Sequence, residues 1–498
     1  MTKSNYQYIK NVTSEFKNQM DATYSYVESL SSIANSLKKS EFAKSIDSDY
    51  EKVESIFNSY LTINKIMNLM KTNPKAFYDA SKKVSESNKS EESKEFDSLI
   101  IDNEGKSIED INEIILNAFI KNQNEEIRKY TDEVYLYIDN DELSLNSKNS
   151  KFNIIFQKYL EVFEKQSNYK ELLLKTSLIS VSNSFESLIN NFIFLIMRKD
   201  ENCLKNKEIS FSRIDSFESI EELKESLIEE SVQDILRGNQ ESWLNYISDK
   251  TGKGKSFFKD QNFDEEIVEK FEEFFLARNL ITHNNSTINN IYINKVKKYT
   301  KIKKDYEPGE KLVLTEEYLI DHLDLIYFIA IKTCYILGFR YGIENKDEMF
   351  EFLSKVAYSN LKERPQLSVS IYEMLLRESN THPMIQRLLF SINYLQALKW
   401  NDENDKFDKV LAELDFSTAS PIHKMCLSIL KDDFKAAVVY LKTAVEKNPD
   451  DFFDKNISVD QRLQQLVDWP LFKKFKGCTD FKQYLESIDL DNEIIYLG

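Results

Sequence analysis

The chain has 498 residues, a formal net charge of −17, and 41% hydrophobic with 30% charged residues. That balance is globular rather than disordered, and the length accommodates about two to four domains. The acidity excludes a long, non-specific grip on nucleic acid, so any polyanion contact must come from a local basic patch. Glycine (9) and proline (7) are scarce, which disfavours turn-rich β architecture. Abundant Leu, Ile, Lys and Glu predict an all-α chain. Cys203, Cys334, Cys426 and Cys478 lie far apart with no C-x-x-C spacing. This reads as a reduced intracellular chain without a disulfide framework or zinc site. The opening MTKSNYQYIKNVTSEF lacks the apolar core of a signal peptide, so a cytoplasmic location is expected, with no membrane partner.

Three regions are expected: 1–150, 151–345 and 346–498. In the first, Ile9, Val12, Phe16, Val27, Leu30, Ile33 and Leu37 approach heptad spacing, interrupted at Gln19 and Thr23. The spacing predicts helices packing on the rest of the chain, with a short coiled coil as the alternative. SKKVSESNKSEESKEF (81–96) is nearly free of apolar residues and reads as a linker. A second helical stretch is expected over about 107–138, followed by a solvated turn in 140–151.

Helical signals strengthen from 152 to 345. FNIIFQKYLEVFEKQ is amphipathic, and SVSNSFESLINNFIFLIM is apolar on most faces. Ser219 and Glu222 form a capping-box pattern before LKESLIEESVQDIL. DEEIVEKFEEFFLARNLITH (264–283) is another helix, opened by acids that suit its N-terminal dipole. The helical period then breaks, and Pro308-Gly309 lies between two partly alternating stretches, which predicts a small hairpin insert near 291–314. Thr315 before Glu316 and Glu317 caps the next helix. That helix contains LDLIYFIAIKTCYILGF (323–339), which carries Asp324 and Lys332 and falls short of about 18 clean apolar residues, so it reads as buried core. From 346 onward short helices recur with short turns. DDFKAAVVYLKTAVEKNPD resembles the second half of a tetratricopeptide (TPR) repeat, and DWPLFKKFKGCTDFKQYLES resembles the closing segment of such arrays. The resemblance implies a TPR-like helical repeat region and a protein partner or regulator bound there.

The segment ARNLITHNNS (277–286) places one of ten arginines five residues before one of four histidines. On helix 264–283 the apolar row Ile267, Phe271, Phe274 continues to Arg278, and a parallel row continues to Asn279. The helix is expected to be covered all round, so Arg278 must be compensated, since a buried charge is costly unless paired. Five residues on an ideal helix span about 140° of rotation. Arg278 and His283 therefore converge only if the helix unwinds at its end or a second copy of the motif joins it. Cationic groups are favoured at a helix C-terminus, which suits a histidine there to proton transfer near neutral pH.

Arg278-Asn279-x-x-x-His283 resembles the Arg–x4–His signature of the HEPN superfamily. The long helix before it, HNNSTIN after it, the short insert and the capped apolar helix agree, over about 165–345. The resemblance implies a helical bundle and a metal-independent endoribonuclease that needs no cofactor and dimerises so that two motifs face each other. Its RNA substrate would be cleaved with His283 in proton transfer, Arg278 stabilising the phosphorane charge and Asn279 orienting the site. It also implies a toxin or anti-phage defence role. Two alternatives stay open. Arg278 could be bonded to a helix carboxylate such as Glu186 with His283 as a cap, and the chain could be a non-catalytic scaffold with HEPN-like and TPR-like domains.

INKVKKYTKIKKD places Lys295, Lys297, Lys298, Lys301, Lys303 and Lys304 around Tyr299 with no acid before Asp305. These lysines are candidate RNA-backbone contacts, or else a solvated hairpin. TGKGKS (251–256) lacks the glycine spacing of a phosphate loop and reads as a turn. His423 and Cys426 have metal-like spacing but no partners nearby, so no metal site is assigned. His322 and His382 have capping surroundings and no further signal.

Overall fold

The computed structural model describes residues 5–43, 57, 60, 134–139, 142–148, 150–200, 202–205, 207–302, 305–341, 346–378, 384–447, 452–454 and 456–488. The expected linker at 81–96, most of the helix expected over 107–138, and Lys303, Lys304 and His382 lie outside them. The class is all-α, with one two-stranded hairpin among the described residues.

Contacts group the chain into two units, residues 29–173, and residues 1–28 with 174–498. In the first unit, strand β1 (Val134–Asp139) pairs antiparallel with β2 (Glu142–Ser147), in register from Val134↔Ser147 to Asp139↔Glu142. This corrects both the helix expected over 134–138 and the solvated turn expected in 140–151, where β2 forms instead. VYLYID is rich in β-branched and aromatic residues and ELSLNS alternates, a period of two that suits strands. Asn153 then clasps the end of β2, accepting from Ser147 N at 2.9 Å and donating to Ser147 O at 2.6 Å. Phe57, Tyr60, Phe152 and Phe156 form an aromatic cluster with ring centroids 5.3–5.8 Å apart across its edge-on and stacked pairs.

The second unit includes the start of helix α1 (Asn5–Ala43) and the later part of α2 (Ser150–Lys199). Helices α3 (Ile220–Leu236), α4 (Gln240–Lys250), α5 (Glu265–His283), α6 (Asn290–Val296) and α7 (Glu316–Tyr341) follow. The buried stripe of α1 runs Ile9, Thr13, Phe16, Met20, Tyr24 and Val27. Steps of four and three residues bypass Gln19 and Thr23, so the heptad interruption is no break in the packed face. Helix α7 is the core of the unit, with Leu319, Leu323, Ile326, Tyr327, Ile329 and Ala330 all at 0% exposure. By length and composition alone it could cross a membrane, but 72% of its most apolar window is buried inside the fold. Thr315 caps it through its hydroxyl to Tyr318 N at 3.0 Å. Ser219 likewise caps α3, accepting from Glu222 N at 3.1 Å, whereas the Glu222 carboxylate reaches back one residue further, to Glu218 N at 2.9 Å.

Beyond α7 the chain is an array of short helices: α8 (Lys346–Asn360), α9 (Pro365–Glu378), α10 (Met384–Trp400), α11 (Asn404–Glu413), α12 (Pro421–Leu430), α13 (Phe434–Lys442), α14 (Val459–Val467) and α15 (Thr479–Ser487). Consecutive helices pack from α8 through α11 and again between α12 and α13, while α10 also meets α12.

One buried cation ties three parts of this unit together. Arg364, in the turn between α8 and α9, is 3% exposed. Its Nε donates to Asp324 Oδ1 on α7 at 2.6 Å, and Nη1 lies 3.5 Å from Asp21 Oδ1 on α1. The guanidinium sits 4.7 Å from the ring centroids of both Tyr24 and Tyr327, which adds cation–π attraction on two sides. Burial pushes the Asp324 carboxyl above its ordinary value, and Arg364 opposes that shift. Replacing Arg364→Met is expected to cost about 3–5 kcal/mol, because it leaves buried carboxylate unpaired. Adding Asp324→Leu should recover part of the loss. Urea unfolding of the single and double variants measures both.

Candidate functional site on helix α5

The sequence of α5 sorts its side chains into an inner acid–aromatic face and an open C-terminal edge. Phe271, Phe274, Phe275, Ala277 and Leu280 are buried, and so are Glu269 and Glu273. Phe185 of α2 packs on Phe271 and Phe275, with centroids 5.8 Å apart in each case. Arg278 is only partly buried, with 21% of its side chain exposed, and Asn279 and His283 are exposed. The expectation of a helix covered all round is therefore corrected. Ala277 and Leu280 take the core positions that the apolar rows assigned to Arg278 and Asn279.

Arg278 is loosely held. Its Nη1 donates to Asn279 Oδ1 at 3.2 Å, Nη2 lies 3.7 Å from Glu186 Oε1 on α2, and Nε is buried with no hydrogen-bond partner. The Glu186 contact anticipated from the sequence is thus present, but beyond hydrogen-bond length. Helix α5 remains α-helical through His283, so the end does not unwind to turn His283 toward Arg278. On a regular helix the two project about 140° apart.

The chain after His283 is pinned by backbone geometry. Asn285 (φ 47°) and Ser286 (φ 59°) adopt left-handed conformations, and Ser286 N returns to Leu280 O at 3.0 Å. Leu312 N donates to Ser286 O at 2.8 Å, and Lys311 Nζ donates to Asn285 O at 2.7 Å. A single bridge, Thr287↔Lys311, is all the β pairing described between 287 and 314. The expected hairpin is replaced on its first arm by helix α6, because Asn289 caps Tyr292 N at 3.0 Å and Tyr292, Ile293 and Val296 are buried on one face. The turn at Pro308-Gly309 is present, with Gly309 at φ 97°.

Lys295, Lys297, Lys298 and Lys301 are all exposed. Lys295 is on α6, and the loop that follows and carries the other three is anchored by a carboxylate from α5. Glu269 accepts from the backbone N–H groups of Thr300 at 2.6 Å, Lys301 at 2.9 Å and Ile302 at 2.9 Å. Burial would raise the Glu269 carboxyl, but these donors outweigh it and hold it below its ordinary value. Tyr299 adds a hydrogen bond to Glu272 at 3.1 Å. The fold thereby brings two separate sequence signals to one place. Asn279, Lys295 and Lys298 line a common cleft of about 580 Å³, together with Tyr299 and with Arg237 at the α3–α4 junction. Arg278, His283, Lys297 and Lys301 do not line it. Arg237 had no sequence signal, since its approach to α5 is purely tertiary.

A second cluster was missed in the sequence. Glu273, fully buried, accepts from Tyr292 at 2.6 Å and Tyr318 at 2.7 Å, and His322 Nε2 lies 3.4 Å away. His322 stacks on Tyr318, with centroids 4.0 Å apart, and its Nδ1 meets Tyr318 O at 2.7 Å. Burial, then the Glu273 charge, pushes both phenols above their ordinary values. His322 is therefore part of the lock joining α5, α6 and α7 rather than a cap. The available hint was an acid inside the apolar run FEEFF. His423 bonds Ser420 Oγ through Nδ1 at 2.7 Å, and Cys426 is buried. Among the described residues no group of three or more His, Cys, Asp or Glu is placed to hold a metal ion.

Comparison with protein-family models, curated proteins and solved structures finds no match for the chain.

The Glu269 anchor has a defined pH range. A depressed carboxyl contributes stability above its unfolded value, about 4.3, and loses it as pH falls through the lower folded value. At neutral pH the anchor is complete. Glu269→Gln should lower the protection of the Thr300, Lys301 and Ile302 amides against hydrogen exchange by about 1.5–3 kcal/mol. Unchanged exchange there would show that the loop is held by other contacts.

Proposed function

We propose that the protein is a metal-independent endoribonuclease of HEPN type, whose active site is completed when two copies bring their α5 helices together. The observation that carries this reading is the open C-terminal edge of α5. It presents Asn279 and His283 to solvent beside an under-satisfied Arg278, and Asn279 shares a cleft with Lys295 and Lys298. An arginine whose buried Nε lacks a partner is suited to an incoming anion. Since His283 points away from Arg278 on its own helix, a C2 dimer is the arrangement that supplies the missing geometry.

In the reaction, the ribose 2′-oxygen attacks the adjacent phosphorus while the bond to the 5′-oxygen breaks. One His283 imidazole takes the 2′-hydroxyl proton, and the second, from the other copy, protonates the leaving 5′-oxygen. Arg278 stabilises the charge on the pentacoordinate phosphorus, and Asn279 orients the site. The products are a 2′,3′-cyclic phosphate and a 5′-hydroxyl. Lys295, Lys297, Lys298 and Lys301 neutralise backbone phosphates, a local attraction set against an acidic chain. On this reading the protein is a cytoplasmic toxin or anti-phage effector. Its helical array, resembling TPR repeats, binds a partner that restrains or triggers cleavage.

The Glu186 contact favours one other reading, a non-catalytic scaffold in which Arg278 is a structural residue. Incubating wild-type, Arg278→Ala and His283→Ala protein with total cellular RNA in EDTA separates the two. Cleavage by wild type, slowed by about 100-fold or more in each variant, is expected. Equal cleavage by all three would remove the motif from the chemistry. If none cleaves, growth arrest on expression decides, since a scaffold keeps its effect after His283→Ala. Light scattering should show a dimer under cleaving conditions, and a strict monomer would defeat the composite site.

The cleft lysines make a separate prediction. Lys295→Gln with Lys298→Gln should weaken binding of single-stranded RNA and flatten the plot of log affinity against log salt by about 1–1.5 units. An unchanged slope would place the phosphates elsewhere.

A further inference from the structure

Independently of the α5 site, a second cleft of about 460 Å³ lies in the helical array between α8 and α10. One face of α8, from Glu351 through Ser354 to Tyr358, forms one wall. Residues Leu389, Asn393 and Gln396 of α10 form the other, and Trp469 also lines the cleft. Its size falls in the usual range for small-molecule sites, which are mostly apolar with a few convergent polar groups. The rings of Tyr358, Phe390 and Trp469 supply aromatic surface.

Gln396 is the informative residue. It is 2% exposed, and its Nε2 has no hydrogen-bond partner. Asn393, one turn earlier on the same face, is engaged by the Tyr372 hydroxyl. Buried donors in native proteins are almost always satisfied, so an orphan amide in a cleft wall points to an acceptor brought by a ligand. The charge at the mouth constrains that ligand further. Lys355 is already paired with Glu351 at 2.6 Å, and Asp347 adds another acid, so an anionic group is disfavoured. An extended peptide would bring a backbone donor and acceptor at every residue, which a mostly apolar cleft with one orphan donor does not answer.

We propose that this cleft binds an uncharged nucleobase-type ligand, a flat heteroaromatic ring packed among Tyr358, Phe390 and Trp469, with a ring or carbonyl acceptor taking the Gln396 Nε2 hydrogen. Carboxamides paired with aromatic surface are a recurring means of reading base edges. Among the described residues lining the cleft the one cation, Lys355, is already paired with Glu351, which selects the base or nucleoside over its phosphorylated forms.

The test titrates the full chain with the four ribonucleosides and their 5′-monophosphates, following tryptophan fluorescence. At least one nucleoside should give a saturable change with Kd below about 1 mM. Trp469→Phe should remove the signal. Gln396→Leu should weaken binding by about tenfold, without lowering the unfolding temperature. The matching monophosphate should bind more weakly, with the gap narrowing as salt is added. No saturable nucleoside binding, or binding indifferent to Gln396→Leu, would overturn the proposal. So would saturation of the same signal by an apolar peptide in place of nucleosides, which would assign the cleft to a protein partner.

Discussion

The second unit depends on a cation that the fold has taken out of water. Arg364 is enclosed by two tyrosine rings and two carboxylates drawn from α1 and α7. Removing a guanidinium from solvent is costly, and only a complete set of partners offsets it. Those partners are separated by hundreds of residues in the chain, so the interaction requires α1, α7 and the α8–α9 turn to be in place together. Thr13 reinforces the same junction, donating to Cys334 Sγ at 3.1 Å. Helix α7 is thereby fixed from both its neighbours in sequence and the distant N-terminus.

From α7 the constraint passes to α5 through buried acid. Glu273 engages Tyr318 and His322 of α7 and Tyr292 of α6. Glu269 holds the backbone after α6. Both acids face inward, where hydrogen-bond donors surround them. The result is an electrostatic division of labour along one helix: anions buried as anchors, and Asn279, His283 and the lysines of the following loop left facing outward. In a chain of net charge −17, burying these two acids removes part of the negative charge near this edge, although Glu241 and Glu272 still line the cleft beside the lysines.

The two clefts differ in the chemistry they offer. The one beside α5 has unpaired lysines among its walls and open polar edges, which suits a phosphodiester chain. The one between α8 and α10 is mostly apolar, and the one cation among its described lining residues, Lys355, is paired with Glu351. Both lie in the same compact unit, and Arg364 sits in the turn directly after α8, one wall of the second cleft.

What the sequence determined by itself is local. Helical class, the span of α5, the caps at Ser219 and Thr315, the buried character of α7 and the turn at Pro308-Gly309 all follow from periodicity and short-range hydrogen bonding. The hairpin of β1 and β2 was also legible in its alternation, but strand pairing competes poorly with abundant helix formers when only composition is weighed. The Arg278, Asn279 and His283 motif was visible as a pattern, and so was the lysine cluster. Their joint cleft was not, because Asn279 comes to share it with Lys295 and Lys298 only through the packing of α6 and of the loop after it, which Glu269 ties back to α5. Likewise nothing local distinguishes Arg364 from the other arginines, or Glu273 from a surface acid. Whether a charge is buried, exposed or paired is decided by what distant segments bring to it, and only the tertiary structure contains those contacts.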